Sequence, residues 1–133
     1  MEESVIRTYS PVTFAFIGDA VYSLFIRDKV VRKANCQAKK LHQRTSGYVS
    51  AKAQSRAVEM LREEGFLSEE EEDIYRRGKN ANTATMAKNA TAAEYHKATG
   101  FEALLGWLYL MERHERLNEI MEKAYRLSDG SLR

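Results

Sequence analysis

Phe14-Ala15-Phe16-Ile17-Gly18-Asp19-Ala20-Val21-Tyr22 is the stretch on which the reading of this chain turns. Pro11 stands just ahead of it, where the first turn of a helix tolerates a residue without an N–H. Downstream the apolar run continues through Leu24, Phe25, Ile26, Val30 and Val31, covering more than one helical face. That pattern predicts a central helix. Inside it an acid, Asp19, stands in apolar company. Gly18 beside it costs a helix roughly 1 kcal/mol unless two backbones must approach closely. An unpaired buried carboxylate loses much solvation energy, so Asp19 is expected to be hydrogen-bonded, paired with a cation or bound to a metal.

The same combination returns once, in Phe101-Glu102-Ala103-Leu104-Leu105-Gly106-Trp107-Leu108-Tyr109-Leu110, where Glu102 opens a run that otherwise reads as core. Two helices crossing tightly at Gly18 and Gly106 would bring the carboxylates together. Converging carboxylates repel and invite a hard cation, and magnesium takes one or two protein carboxylates while keeping waters and substrate phosphates. That chemistry suits phosphodiester hydrolysis. The competing reading has each acid paired with an arginine or capping a neighbouring backbone, and the burial pattern leaves both open.

Working outward, helical spacing continues from about Ala38 through Tyr48, and a further helix carries Val49, Ala53, Ala57, Met60 and Leu61. Gly65 supplies a C-terminal cap. Ser68 reads as an N-cap, with Glu69 to Glu72 in the first turn and Arg76 and Arg77 in the last, complementing the helix dipole at both ends. From Lys79 to Thr91 the chain is small and polar and reads as loop or weak helix, the kind of long connection that tends to be functional. Helical spacing resumes from about Ala92, and a final helix carries Leu117, Ile120, Met121, Ala124 and Leu127, with fraying expected after Ser128. No strand alternation and no dinucleotide-binding glycine pattern appear. The expectation is an all-α fold in one domain, residues 1–133.

The bulk numbers agree with that class. The chain has 133 residues, 44% hydrophobic and 30% charged, with one proline. Cys36 is the single cysteine, which excludes an internal disulfide and suits a reducing compartment, so a cytoplasmic location is expected. No leader is read at the N-terminus, and no apolar run approaches a membrane span. Net charge is only +2, but it is unevenly placed. Arg27, Lys29, Arg32, Lys33, Lys39, Lys40 and Arg44 face Asp28 alone, Glu59 to Asp73 is mostly acid, and a second basic stretch runs from Arg76 to Lys97. These read either as faces suited to phosphates or as ordinary solvated helix surfaces. His42, His96 and His114 lack the spacing of a zinc site. Trp107, Tyr109 and Leu110 read as core or dimer contacts, and Tyr22, Phe25 and Ile26 as core or subunit interface.

The chain resembles the ribonuclease III catalytic domain. Phe16-Ile17-Gly18-Asp19-Ala20 and Glu102-Ala103-Leu104-Leu105-Gly106 match that family's two acidic motifs. Tyr48-Val49-Ser50-Ala51-Lys52-Ala53-Gln54, Arg77-Gly78-Lys79-Asn80-Ala81 and Thr99-Gly100-Phe101 resemble its short bacterial form, Mini-ribonuclease III, which lacks a double-stranded RNA-binding domain. The likeness runs from about Pro11 to Ala124, and an end near residue 133 leaves no room for that second domain. Full-length members carry further acids one turn before the aspartate and three residues before the glutamate, where this chain has Ala15 and Thr99. Only Asp19 and Glu102 carry over.

The resemblance implies an all-helical homodimer, two active sites making a staggered cut in double-stranded RNA, and maturation of large-subunit (23S) ribosomal RNA precursors. It also implies that Asp19 and Glu102 hold Mg2+, with Mn2+ as a substitute, and are the catalytic residues. Duplex RNA is recognised through shape, phosphates and 2′-hydroxyls. Arg76, Arg77, Lys79, Asn80, Lys88 and Asn89, in and beside the polar segment, are the expected RNA contacts. The reduced acid set leaves a second reading, a non-catalytic RNA-binding or ribosome-associated protein on the same fold. A purely structural helical adaptor leaves both acids unexplained.

Overall fold

A computed structural model describes residues 1–81 and 90–131, and its regular elements are all α-helices: α1 (Glu3–Ile6), α2 (Pro11–Lys33), α3 (Ala38–Val49), α4 (Ala51–Glu63), α5 (Glu69–Lys79), α6 (Ala92–Leu110) and α7 (His114–Ser131). Local chemistry sets most boundaries. Pro11 occupies the first turn of α2 and Ser10 caps it, accepting from the Thr13 N–H. Capping boxes start α5 (Ser68 with Glu71) and α6 (Thr91 with Glu94). Ser50 ends α3 and caps α4, so Val49 closes the earlier helix instead of opening the later one. The last helix continues to Ser131, beyond the expected fraying point.

Two helices stop in the same way. Beyond α4, Phe66 N–H donates to the Leu61 carbonyl and Gly65 N–H to that of Arg62, with Gly65 at φ 66°. Beyond α6, Arg113 N–H donates to Leu108 and Glu112 N–H to Tyr109, with Glu112 at φ 58°. Both are paired carbonyl caps that need a left-handed residue, and only the first supplies glycine.

Helix α6 is the axis of the fold, buried almost continuously from Ala98 to Leu108 and packed by α2, α4, α5 and α7. Glycines decide how closely its neighbours come. A β-carbon on Gly18 would lie 1.8 Å from the Glu102 carbonyl oxygen, and one on Gly106 would lie 1.8 Å from that of Phe14. Helix α5 meets α6 in the same manner, with a β-carbon on Gly78 falling 2.6 Å from Ala103 Cβ.

Tyr22 and Ile26 belong to the chain's own core, and Tyr22 packs edge-on to Phe101 at 5.2 Å. Trp107 is buried, whereas Tyr109 reaches the surface. Helix α2 is not enclosed on every side. Phe16 is 83% and Leu24 71% exposed, with Val12 and Val31 also open. At 100° per residue these four fall within one arc of about 120°. Among the described residues no helix is long and apolar enough to cross a membrane.

Candidate active site

The crossing of α2 and α6 sets the position of both acids. Gly18 precedes Asp19 and presses on the backbone of Glu102, so the two carboxyl groups converge in one pocket of about 230 Å3. Val49 and Ala51 at the α3–α4 junction, Gln54 of α4, and Tyr95, Ala98 and Thr99 of α6 complete its wall. The two acids differ in setting. Glu102 is half-buried, as its apolar neighbours imply. Asp19 is exposed, because Phe16 and Ala20 beside it face outward. The expectation of a buried aspartate is therefore corrected. Its flanking apolar residues form an open surface stripe, and Asp19 borders that stripe on one side and the pocket on the other.

Burial, followed by the hydrogen bond and charge of Asp19, pushes the Glu102 carboxyl up to about 8, against a smaller opposing hydrogen bond from Gln54. Glu102 thus tends to keep its proton near neutrality when no cation is present. Gln54 is a residue that pattern reading did not single out. It is 2% exposed, and its Nε2 donates to the Val49 carbonyl at 2.9 Å and to Glu102 Oε2 at 3.2 Å. A polar residue on an otherwise apolar face of α4 was the available signal.

Ala15 and Thr99, one turn from each acid, bring no carboxylate, and the Thr99 hydroxyl is engaged by the Tyr95 carbonyl at 3.0 Å. Among the described residues no group of three or more His, Cys, Asp or Glu could enclose a metal. Two carboxylates nevertheless form a hard-oxygen set, one that fits a cation keeping most of its own waters, as magnesium does. Burial first, and then the neighbouring Asp19, raise the Glu102 carboxyl, and a cation bound beside it would offset both.

The expected RNA contacts lie elsewhere. Arg76 is paired with Asp73 at 2.7 Å. Arg77 lines a different pocket beside Glu3, Glu70 and Asp73. Lys79 closes α5 and Asn80 caps it, where Gly78 comes within 3.3 Å of the Thr99 carbonyl if given a β-carbon, but neither residue lines the carboxylate pocket. Lys88 and Asn89 lie outside the described residues. The helices that do form the pocket carry other cations. Lys39, Lys40 and Arg44 on α3 and Lys52 and Arg56 on α4 are all exposed, and none forms an ion pair among the described residues.

Comparison with known proteins adds to this geometry. Residues 12–113 match the Ribonuclease III domain. The Mini-ribonuclease 3 of Streptococcus pneumoniae is 44% identical over 90% of this chain and 93% of its own, and that of Thermoanaerobacter is 50% identical over 88% and 81%. A Fusobacterium nucleatum protein of known crystal structure superposes with a TM-score of 0.80 at 31% identity, covering 91% of this chain and 95% of that one.

Proposed function

Given that the chain belongs to the ribonuclease III family and is an endoribonuclease, we propose that it cuts double-stranded RNA as a homodimer with a divalent cation held between Asp19 and Glu102. The observation that carries this reading is the convergence of the two carboxylates at the Gly18–Gly106 crossing. Asp19 and Glu102 would hold the Mg2+ or Mn2+, and such a cation would supply a water of lowered pKa for attack on phosphorus and an offset for charge on the leaving oxygen. Asp19, exposed at the rim, is the carboxylate that meets the incoming phosphate's surroundings. Glu102, held by Gln54, is the fixed partner.

A single carboxylate pair per chain severs one strand, so a staggered double cut calls for two chains. The open stripe of Val12, Phe16, Leu24 and Val31, which exposed Thr13 and Arg27 share, is the surface we assign to that pairing, since large apolar side chains left open on one arc of a helix mark an interaction site. Phosphates are received by Lys52 and Arg56 of α4 and by Lys39, Lys40 and Arg44 farther along α3, exposed cations that no acid among the described residues neutralises. The substrate we assign by resemblance is precursor large-subunit (23S) ribosomal RNA.

Purified protein incubated with long duplex RNA tests this. Cleavage is expected with Mg2+ and not with chelator. Asp19→Asn is expected to lower the rate by at least about a hundredfold, since losing a ligand should cost no less than losing one of its supports. A duplex left intact by the wild type under every divalent cation would end the proposal, and equal cutting by Asp19→Asn would remove the assigned site.

A further inference from the structure

Gln54 carries a buried acceptor that the fold does not use. Its amide orientation is fixed independently of Glu102, because the Val49 carbonyl can only accept and therefore requires Nε2 on that side. The second Nε2 hydrogen goes to Glu102 Oε2. Oε1 is thereby turned away from both, fully buried, and has no hydrogen-bond partner among the described residues. Buried amide oxygens are nearly always satisfied, so an unpaired Oε1 is a cost that the fold bears to keep Nε2 on Glu102. Neither hydroxyl in the pocket wall relieves it: Thr99 donates to the Tyr95 carbonyl, and the Tyr95 hydroxyl makes no hydrogen bond to Gln54.

The geometry points to Gln54 as a positioning residue of the cation site: Nε2, set in place by the Val49 carbonyl, holds Glu102 for ligation. This rests on the cation site proposed above. It fits a site short of carboxylates. Where Ala15 and Thr99 contribute no charge, a neutral amide fixes the half-buried carboxylate without adding repulsion to the Asp19–Glu102 pair. Outer groups that orient ligands in this way typically matter about 10–100-fold to metal affinity.

Manganese alone is the probe, titrated without RNA into wild type, Gln54→Met and Asp19→Asn, with free Mn2+ read by electron paramagnetic resonance. Gln54→Met preserves the shape and removes both hydrogen bonds and the acceptor, and it is expected to bind Mn2+ at least about tenfold more weakly than wild type. On RNA its kcat is expected to fall with KM little changed, since a buried side chain meets no phosphate. A second measurement needs no variant: the Gln54 side-chain amide resonance of the wild type is expected to shift on adding Mg2+ and to saturate with binding. Equal Mn2+ affinity in wild type and Gln54→Met, or an amide resonance that does not move as Mg2+ saturates, overturns the role of Gln54 and leaves the cation site standing. Wild type that binds no more Mn2+ than Asp19→Asn overturns the cation site itself.

Discussion

The α-carbon of Gly18 abuts the carbonyl oxygen of Glu102, leaving no room for even a methyl group, and the aspartate of one helix is thereby delivered to the glutamate of another. Backbone contact between α2 and α6 is thus what makes the pocket.

Gly18→Ala tests that contact. A β-carbon 1.8 Å from a carbonyl oxygen must push the helices apart, because neither neighbour is a flexible side chain. Overpacking of this kind costs about 3 kcal/mol at the upper end of its usual range. Denaturant unfolding should register that loss, and cleavage should fall further than stability alone explains. A variant as stable and active as wild type would show that the crossing is looser than described.

The pH dependence of the cation-free protein follows from Glu102. Its folded-state pKa, about 8, lies above the ordinary value of 4.5. A group shifted in this direction contributes stability below its unfolded pKa and loses it as pH rises through the folded one. In chelator, the urea midpoint should therefore decline as pH is raised from about 5 to 9. Glu102→Gln, which cannot ionise, should flatten that decline, and saturating Mg2+ should do the same in the wild type. An unchanged slope in Glu102→Gln would refute the assignment of the shift.

Phe16→Lys probes the open stripe of α2. Phe16 contributes nothing to the chain's own core, so the monomer fold should be unaffected. In a two-fold assembly the loss counts twice. At about 2 kcal/mol for each buried phenylalanine, the dimer should weaken by roughly a thousandfold. Sedimentation velocity should show dimeric wild type and monomeric variant. A wild type that sediments only as a monomer would refute the pairing.

Glu112→Gly should stabilise the chain by about 0.5–1 kcal/mol, since residue 112 occupies a left-handed position where glycine has no β-carbon penalty. Thermal unfolding should show the rise. A loss of stability would mean that the Glu112 side chain contributes more than its backbone costs.

Much of this was legible in the sequence, and the gaps have physical causes. The helices of Pro11, Ser68 and Gly65 carried their own boundary signals, and the two acid–glycine pairs foretold the crossing. Asp19 misled because Phe16 and Leu24 are as apolar as any core residue, and spacing alone does not separate an exposed apolar stripe from an interior. Gln54 went unremarked because a glutamine on a helix is ordinarily solvent-facing. What buries it is α6, nearly fifty residues later in the chain and out of reach of local pattern. Arg76 attracted notice as a cation although Asp73, three residues earlier, neutralises it. Thr91 and Glu94 spelled a capping box that would have fixed the start of α6.

The glycine crossings also bear on how this chain can change over time. Every substitution of glycine adds at least one carbon, so at positions 18 and 106 there is no small step away, only a step that separates the helices carrying the two acids. At 78 and 100 the same holds for the wall behind them. A lineage could exchange surface cations, recast the apolar stripe, or trade one cap for another in single steps. It could reach a different spacing of Asp19 and Glu102 only by passing through a disabled intermediate. The geometry of the pair is therefore the slow variable of this fold, and selectivity is free to drift around it.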